Sequence, residues 1–399
     1  MKHYNSLLAV IFILLIGCYQ PKISEEETAK EKVKNSDFQF NWQGITDTLM
    51  FRMNLQPGEK VFLLANPHQY DTLIRQIKKA VQAEGAEYLG AIAITEQQPP
   101  DWQTTFTKKA VVLAGEQLEG HLAGADIGIM MPGATPGHKV YAAMQNVLRS
   151  GRARTIHFHW AGAYDTNMNS IPLDTPVHIV YQNALLKTDY KALSERQGAF
   201  VEAMRNNQVS VTTPSGTDLT FKIGDRPVNV QNGDASKVRT GRGQILIDRE
   251  IELPAGVIRV APIEESVNGT IAFPDATWAG KEAKGVVLTI EEGKVVDVSA
   301  EEGLEHVKKE LENGKPAAYA FREFALGFNP HLKLQTGENG KKWIPYYAYG
   351  NGLVRLSLGD NTELGGNVSG GYVRWNFFTD ASVKVGDEWW VKNGEVVKE

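Results

Sequence analysis

The chain has 399 residues, a formal charge of −5 and 9% aromatic residues. That is ordinary globular composition without the clustered Lys/Arg stripe a polyanion requires, so nucleic acid is excluded as an expected partner. A single cysteine, Cys18, rules out an intramolecular disulfide, and roughly 360 residues beyond the N-terminal stretch exceed the usual reach of one core, so two domains are expected.

Near the start, Lys2 precedes an uncharged apolar run from Leu7 to Gly17. This is the anatomy of a signal peptide, and it falls short of the roughly 17 to 25 residues a membrane-spanning helix needs. The run ends in Leu15-Ile16-Gly17-Cys18, which resembles the lipobox of bacterial lipoproteins. The resemblance implies export, removal of residues 1–17, lipid on Cys18 and a membrane anchor; a plain secretory signal is the alternative. Tyr19, where an aspartate would hold such a protein at the inner membrane, favours the outer membrane. Residues 18–36, polar and of mixed charge, read as a solvated tether.

From Glu59 onward, short apolar runs alternate with amphipathic stretches. Lys60 to Asn66 reads as a buried strand, and Tyr70 to Glu84 as a helix with Leu73, Ile74, Ile77, Ala80 and Val81 at helical spacing, closed by Gly85. A strand over Tyr88 to Ile94, a helix over Glu116 to Ala123, a strand over Asp126 to Met131, a helix over Lys139 to Leu148 and a strand over Arg154 to Trp160 follow. The alternation predicts an α/β domain over residues 37–207, with a doubly wound, mostly parallel sheet. One long helical region runs from Pro176 to Asn206. Residues 208–399 change character, to an α+β, β-rich domain with strands at Val209 to Thr213, Leu219 to Ile223, Val286 to Glu291 and Lys294 to Ser299, and a helix from Glu302 to Leu311. The turn at Glu292-Gly293 predicts a hairpin.

Three local patterns carry possible chemistry. His157 and His159, two apart on a strand, share a face as a metal pair could, but no third ligand is evident nearby, and a packed pair is the ordinary reading. The PGATPG segment before Gly137 could turn backbone N–H groups toward an anion, yet its spacing fits neither a dinucleotide fingerprint nor a P-loop, and an ordinary turn is expected. Ser215 lacks the Gly-x-Ser-x-Gly context of a nucleophile and reads as a hairpin residue.

The most specific signal is an order of segments: TPSGTDLTFKIGDRPV (213–228), LPAGVIRVAP (253–262), GVVLTIEEGKVVDVSAEEG (285–303), REFALGFNP (322–330), VRLSLGDNTELGGN (354–367) and YVRWNFF (372–378). Together they resemble the aminopeptidase T family of metallo-aminopeptidases and their leucyl aminopeptidase relatives. The resemblance covers about Gly58 to Val397, strongly from Thr213 onward. It implies an α/β domain followed by the family's own α+β domain, a homodimer, and a two-metal aminopeptidase site in the second domain.

Residue by residue, the ligand set implied by this resemblance is largely gone. The glutamate expected after LPAG is Val257. Glu323 in REFALG survives. The ligand histidine of the next segment corresponds to Arg355, and no carboxylate lies in residues 346–353 to supply a further acidic ligand. The His-x-Asp pair corresponds to Arg374 and Asn376. Guanidinium offers only donors and cannot ligate a metal. Strand alternation groups Val257 with Arg259, Arg355 with Ser357, and Arg374 with Asn376. Two readings remain open: Arg355 and Arg374 pair with Glu323 in place of metal, or their surplus charge holds an anionic small molecule or a peptide carboxylate. The expectation is therefore an envelope lipoprotein with a degenerate metal site and no metal cofactor, a ligand-binding or structural pseudoenzyme. The alternatives are an active divalent-metal aminopeptidase with new ligands drawn from Glu323 with Asp360, Glu363 or Asp380, and metal-free catalysis with Glu323 as base.

Overall fold

The computed structural model describes residues 38–398 except 96, 161, 244 and 338–339. The expected signal peptide, the lipidation site Cys18 and the tether lie outside the described residues. Among those described, no helix is long and apolar enough to cross a membrane.

Ten strands build the two sheets that position the site: β1 (Lys60–Ala65), β2 (Glu87–Ala93), β3 (Ile127–Met130), β4 (Arg154–Phe158), β5 (Val228–Val230), β6 (Glu250–Leu253), β7 (Val257–Val260), β8 (Phe321–Gly327), β9 (Val354–Gly359) and β10 (Val373–Phe378). The first sheet runs β6-β4-β3-β1-β2, with every pairing parallel. Its inner strands β1 and β3 are apolar on both faces because helices cover both, as a parallel sheet requires. The helix Asp71–Ala83 buries Leu73, Ile74, Ile77 and Val81 against one side, while Lys139–Arg149 buries Val140, Tyr141, Met144, Val147 and Leu148 against the other.

The second sheet runs β10-β9-β8-β7-β5 and is antiparallel. One of its faces packs on an eight-stranded antiparallel sheet that starts at Val209–Thr212 and ends at Glu395–Val396, through contacts such as Phe221 with Phe324 and Phe273 with Phe378. The α/β and β-rich character of the two halves is as expected. So is the hairpin, where Glu292 and Gly293 both adopt positive φ, at 48° and 77°.

Three differences have physical causes. The helical region after Pro176 is two helices, Thr175–Leu186 and Tyr190–Asn206, because Asp189 caps the second by accepting from the N–H groups of Lys191 and Ala192. The helix Trp42–Met53, whose apolar positions are too scattered to announce it, packs beside Asp71–Ala83. And the chain does not divide cleanly at residue 207: β6 returns from the second half to become an edge strand of the parallel sheet, beside β4. A single apolar cluster accordingly runs from Ile45 through the parallel sheet to Phe324 and Trp390.

At the far end of β4, Arg154 makes a bidentate pair with Glu59 at 2.7 and 2.9 Å and donates through Nε to the Ala235 carbonyl at 2.8 Å; both side chains are buried. Burial alone would raise the Glu59 pKa, but the Arg154 guanidinium and the Gln56 N–H hold it below the usual carboxylate range. Replacing Arg154 by Met leaves a buried charge without a partner, so we expect urea unfolding of Arg154→Met to show a loss of about 3–5 kcal/mol, with a smaller loss in the Glu59→Gln/Arg154→Met double variant.

Candidate functional site

The site is the face of the second sheet turned away from the eight-stranded one. Pairing registers put Asn229, Val257, Arg259, Glu323, Ala325, Arg355, Ser357, Trp375 and Phe377 on this face. The opposite face carries Ile258, Val260, Phe324, Leu326, Leu356 and Leu358.

Glu323 is fully buried at the centre. Its Oε2 accepts from Arg259, at 2.8 Å from Nη2 and 3.2 Å from Nε, and its Oε1 accepts from Nε of Arg355 at 2.7 Å. A bulge in β8 between Phe321 and Glu323 inserts Arg322 as an unpaired extra residue, turning its guanidinium to within 3.6 Å of the same carboxylate. Glu363 closes the network by accepting from Arg259 at 2.7 Å and from Arg322. Burial would raise the Glu323 pKa; Arg259, Arg355 and Arg322 overcome it and hold the carboxyl far below the usual range. Arg259 is pushed the other way: burial lowers it, and Glu323 and Glu363 more than compensate.

The structure thus brings Val257, Arg259, Glu323 and Arg355 onto one face, but not Arg374 and Asn376. Arg374 lies across from Leu358 on the other face, donates to Glu310 at 2.7 Å and stacks 3.3 Å from the centre of the Trp278 ring, fastening the helix Leu304–Asn313. Asn376 is buried opposite Leu356, with neither amide atom hydrogen-bonded among the described residues. Arg374 and Asn376 thus do not join Arg355: alternation along the pleated β10 turns both to the face that packs on the eight-stranded sheet. The positions that face Arg355 are Trp375 and Phe377. An indole N–H only donates and a phenyl ring has no lone pair, so neither offers a metal ligand. The Arg355 guanidinium sits 5.4 Å from the Trp375 ring centre.

Nor is this face an open pocket: Val257, Glu323 and Arg355 are at most 3% exposed and Arg259 is 6% exposed. Tyr164 packs on Phe377 and Tyr347, and Tyr347 on Trp375, covering it. Of the ligands suggested for a rebuilt metal site, Glu363 is spent on the arginines, Asp360 accepts from Thr362, Gly370 and Gly371, and Asp380 is exposed in a bend after β10.

The first sheet meets this face at its edge strand β6. Only Pro254, Ala255 and Gly256 separate β6 from β7, so Glu252 on one sheet lies beside Val257 and Arg259 on the other. Gly256 has φ 154°, and a Cβ there would come within 2.5 Å of the Asn329 Cβ and 2.8 Å of the Tyr349 carbonyl, so no larger residue fits. Glu252 pairs across from His157 on β4, and the ligand atoms of His157, His159 and Glu252 lie within 4.8 Å of one another. This supplies the third group absent from the reading of the His157/His159 pair. The sequence held a signal for it: Glu250 and Glu252 alternate on a strand directly before LPAG. Burial lowers His157 to about 3 and raises Glu252 to about 7, the latter although Arg259 and Arg355 pull it down. His159 is likewise pushed well below its ordinary value by burial.

Tyr141 donates to Glu250 at 2.5 Å, and its oxygen lies 2.8 Å from Nδ1 of His157. Nε2 of His159, Oε2 of Glu252 and the hydroxyl of Tyr346 have no partner among the described residues, and the Tyr346 ring lies 4.6 Å from that of His159. Tyr346, Tyr347 and Ala348 are consecutive residues at φ 38°, 45° and 61°. Such left-handed conformations cost about 1–3 kcal/mol each and concentrate at functional sites. The other local patterns read as expected: Ser215 is an exposed turn residue bonded to Thr213, and in PGATPG the N–H groups of Ala134 and Thr135 are taken by Met131 and His138.

Comparison with known proteins gives three results. No curated protein matches the sequence. Among the solved structures that match are two that do so over nearly the whole chain: 2,5-dihydroxypyridine dioxygenase from Pseudomonas putida KT2440, at 17% identity and TM-score 0.58 over 90% of this chain and 97% of that one, and wild-type AmpT from Thermus thermophilus, at 15% identity and TM-score 0.56 over 89% and 99%. Residues 187–335 match the family of thermophilic metalloproteases, M29, so this segment carries the family's sequence pattern on a chain whose fold is AmpT-like.

Proposed function

We propose that the protein is a lipid-anchored envelope paralogue of the M29 fold that is not a two-metal aminopeptidase at the inherited positions, and that serves as a ligand-binding or structural protein. The observation that carries this reading is the full internal use of Glu323: the surviving acidic ligand is enclosed by Arg259, Arg355 and Arg322. A cation entering there would displace paired guanidinium groups and meet their repulsion at short range in a poorly screened interior. The same packing favours internal charge replacement over capture of an anionic ligand on this face. Anchoring through Cys18 and residence at the outer membrane rest on the N-terminal sequence alone.

The reading makes Glu323 a stability element. With its folded pKa depressed, its contribution is complete above roughly pH 5 and is lost as pH falls through the carboxylate range. Glu323→Gln is expected to cost about 3–5 kcal/mol at neutral pH in denaturant unfolding, and the gap to wild type should narrow on acidification; a gap that widens would contradict the assigned charge state. Supplied with Zn²⁺, Co²⁺ or Mn²⁺, the full-length protein is expected not to release the N-terminal residue of a dipeptide. Chelator-sensitive release that survives His159→Ala would restore the aminopeptidase alternative. For the anchor, Cys18→Ala should abolish incorporation of a labelled fatty acid and shift the protein out of the membrane fraction.

A further inference from the structure

The second cluster of buried polar groups is not explained by charge replacement. We propose that His157, His159 and Glu252 form a binding site for one first-row divalent transition metal ion, at the seam between the two sheets and separate from the arginine network.

Geometry carries the proposal. Three ligand atoms of the right kinds converge within 4.8 Å. Bonds of about 2.0–2.2 Å to nitrogen and oxygen would set them roughly 3.4 Å apart, so small side-chain rotations bring them to coordinating distance. Two of the three groups are otherwise idle: Nε2 of His159 and Oε2 of Glu252 are shielded from solvent and have no hydrogen-bond partner among the described residues. Leaving such atoms unpaired costs about 1–3 kcal/mol each, which an ion would recover. The third ligand is held from behind. His157 sets Nδ1 against the hydroxyl of Tyr141, which donates to Glu250; with an ion on the ring's other nitrogen, Nδ1–H would donate to that hydroxyl, the outer-shell arrangement that fixes a ligating imidazole's tautomer. The ring also bonds the Ala134 backbone, and this is the contact it would exchange for the ion.

The charges are compatible with a cation. Arg259, Arg322 and Arg355 supply three positive charges, whereas Glu250, Glu252, Glu323 and Glu363 supply four carboxylates, and the arginines are engaged by Glu323 and Glu363. Two imidazoles and one carboxylate suit Zn²⁺, Fe²⁺ or Co²⁺ better than Mg²⁺ or Ca²⁺. Three protein ligands also leave a coordination position open, as in reactive rather than structural sites. The unpartnered Tyr346 hydroxyl, on the strained 346–348 segment beside His159, is the next polar group.

The proposal does not depend on the reading of the arginine network, and its test separates the two. Full-length protein in detergent would be stripped with chelator and titrated with Co²⁺ alone, following the visible bands of a four- or five-coordinate ion, with Zn²⁺ competition and thermal unfolding in parallel. We expect one equivalent to bind, to raise the melting temperature and to be displaced by Zn²⁺. Glu252→Gln, which preserves shape, and His159→Ala should each weaken binding by about 10-fold or more. Should His159→Ala fail to fold, Glu252→Gln decides alone. No cobalt uptake, or uptake unaffected by Glu252→Gln, would overturn the site; uptake unaffected by Glu252→Gln but lost in Glu323→Gln would overturn the reading of the arginine network as well.

Discussion

Glu323 holds a full negative charge in the interior, and the chain around it is arranged to make that tolerable. Three guanidinium groups from three different places in the sequence reach it: Arg259 from β7, Arg322 from the bulge in its own strand, and Arg355 from β9. One carboxylate cannot neutralise three cations, so Glu363 is recruited from the turn after β9. Buried ion networks of this sort are weak sources of net stability but penalise partial dismantling severely. By that asymmetry the cluster is expected to respond to substitution as a unit: losing one member leaves the others charged and dry.

The seam between the sheets follows from a second constraint. With only Pro254, Ala255 and Gly256 between β6 and β7, the chain passes from the parallel sheet to the antiparallel one almost without a loop, and Gly256 alone fits against Asn329 and Tyr349. The passage delivers Glu252 to His157 and His159 on one side and Arg259 to Glu323 on the other. The two polar clusters are neighbours because of three residues of connection. They nevertheless differ in chemistry. In the arginine cluster both carboxylates are engaged and only Nε of Arg322 is left without a hydrogen bond, whereas the histidine cluster ends in lone pairs and a hydroxyl with no partners among the described residues. The first is built like a core and the second like a site.

Much of this was legible in the sequence, and its limits are instructive. Alternation of apolar runs located β1 to β4 and their helices closely, because a buried parallel strand and an amphipathic helix leave different periods. Val257, Arg259, Glu323 and Arg355 were read onto one site through their order in the chain. Arg374 and Asn376 were read onto the same site but lie on the other face of β10, because order in the chain does not fix which face of a pleated strand a residue takes. Arg322 escaped, and Glu363 was read only as a possible metal ligand and not as a partner of the arginines, because a bulge and a turn have no periodic signature. Glu252 escaped for another reason: its partners His157 and His159 lie almost a hundred residues earlier, and only the return of β6 to the parallel sheet joins them.

We propose that guanidinium groups occupy the position where the M29 resemblance implies metal, while a different set of ligands stays open a short distance away. Anomalous diffraction from crystals of the protein grown with zinc tests it directly. The account predicts a peak bound to His157, His159 and Glu252, with Glu323 still bridged by Arg259 and Arg355. A zinc peak bonded to Glu323, with either arginine swung away from it, would contradict it.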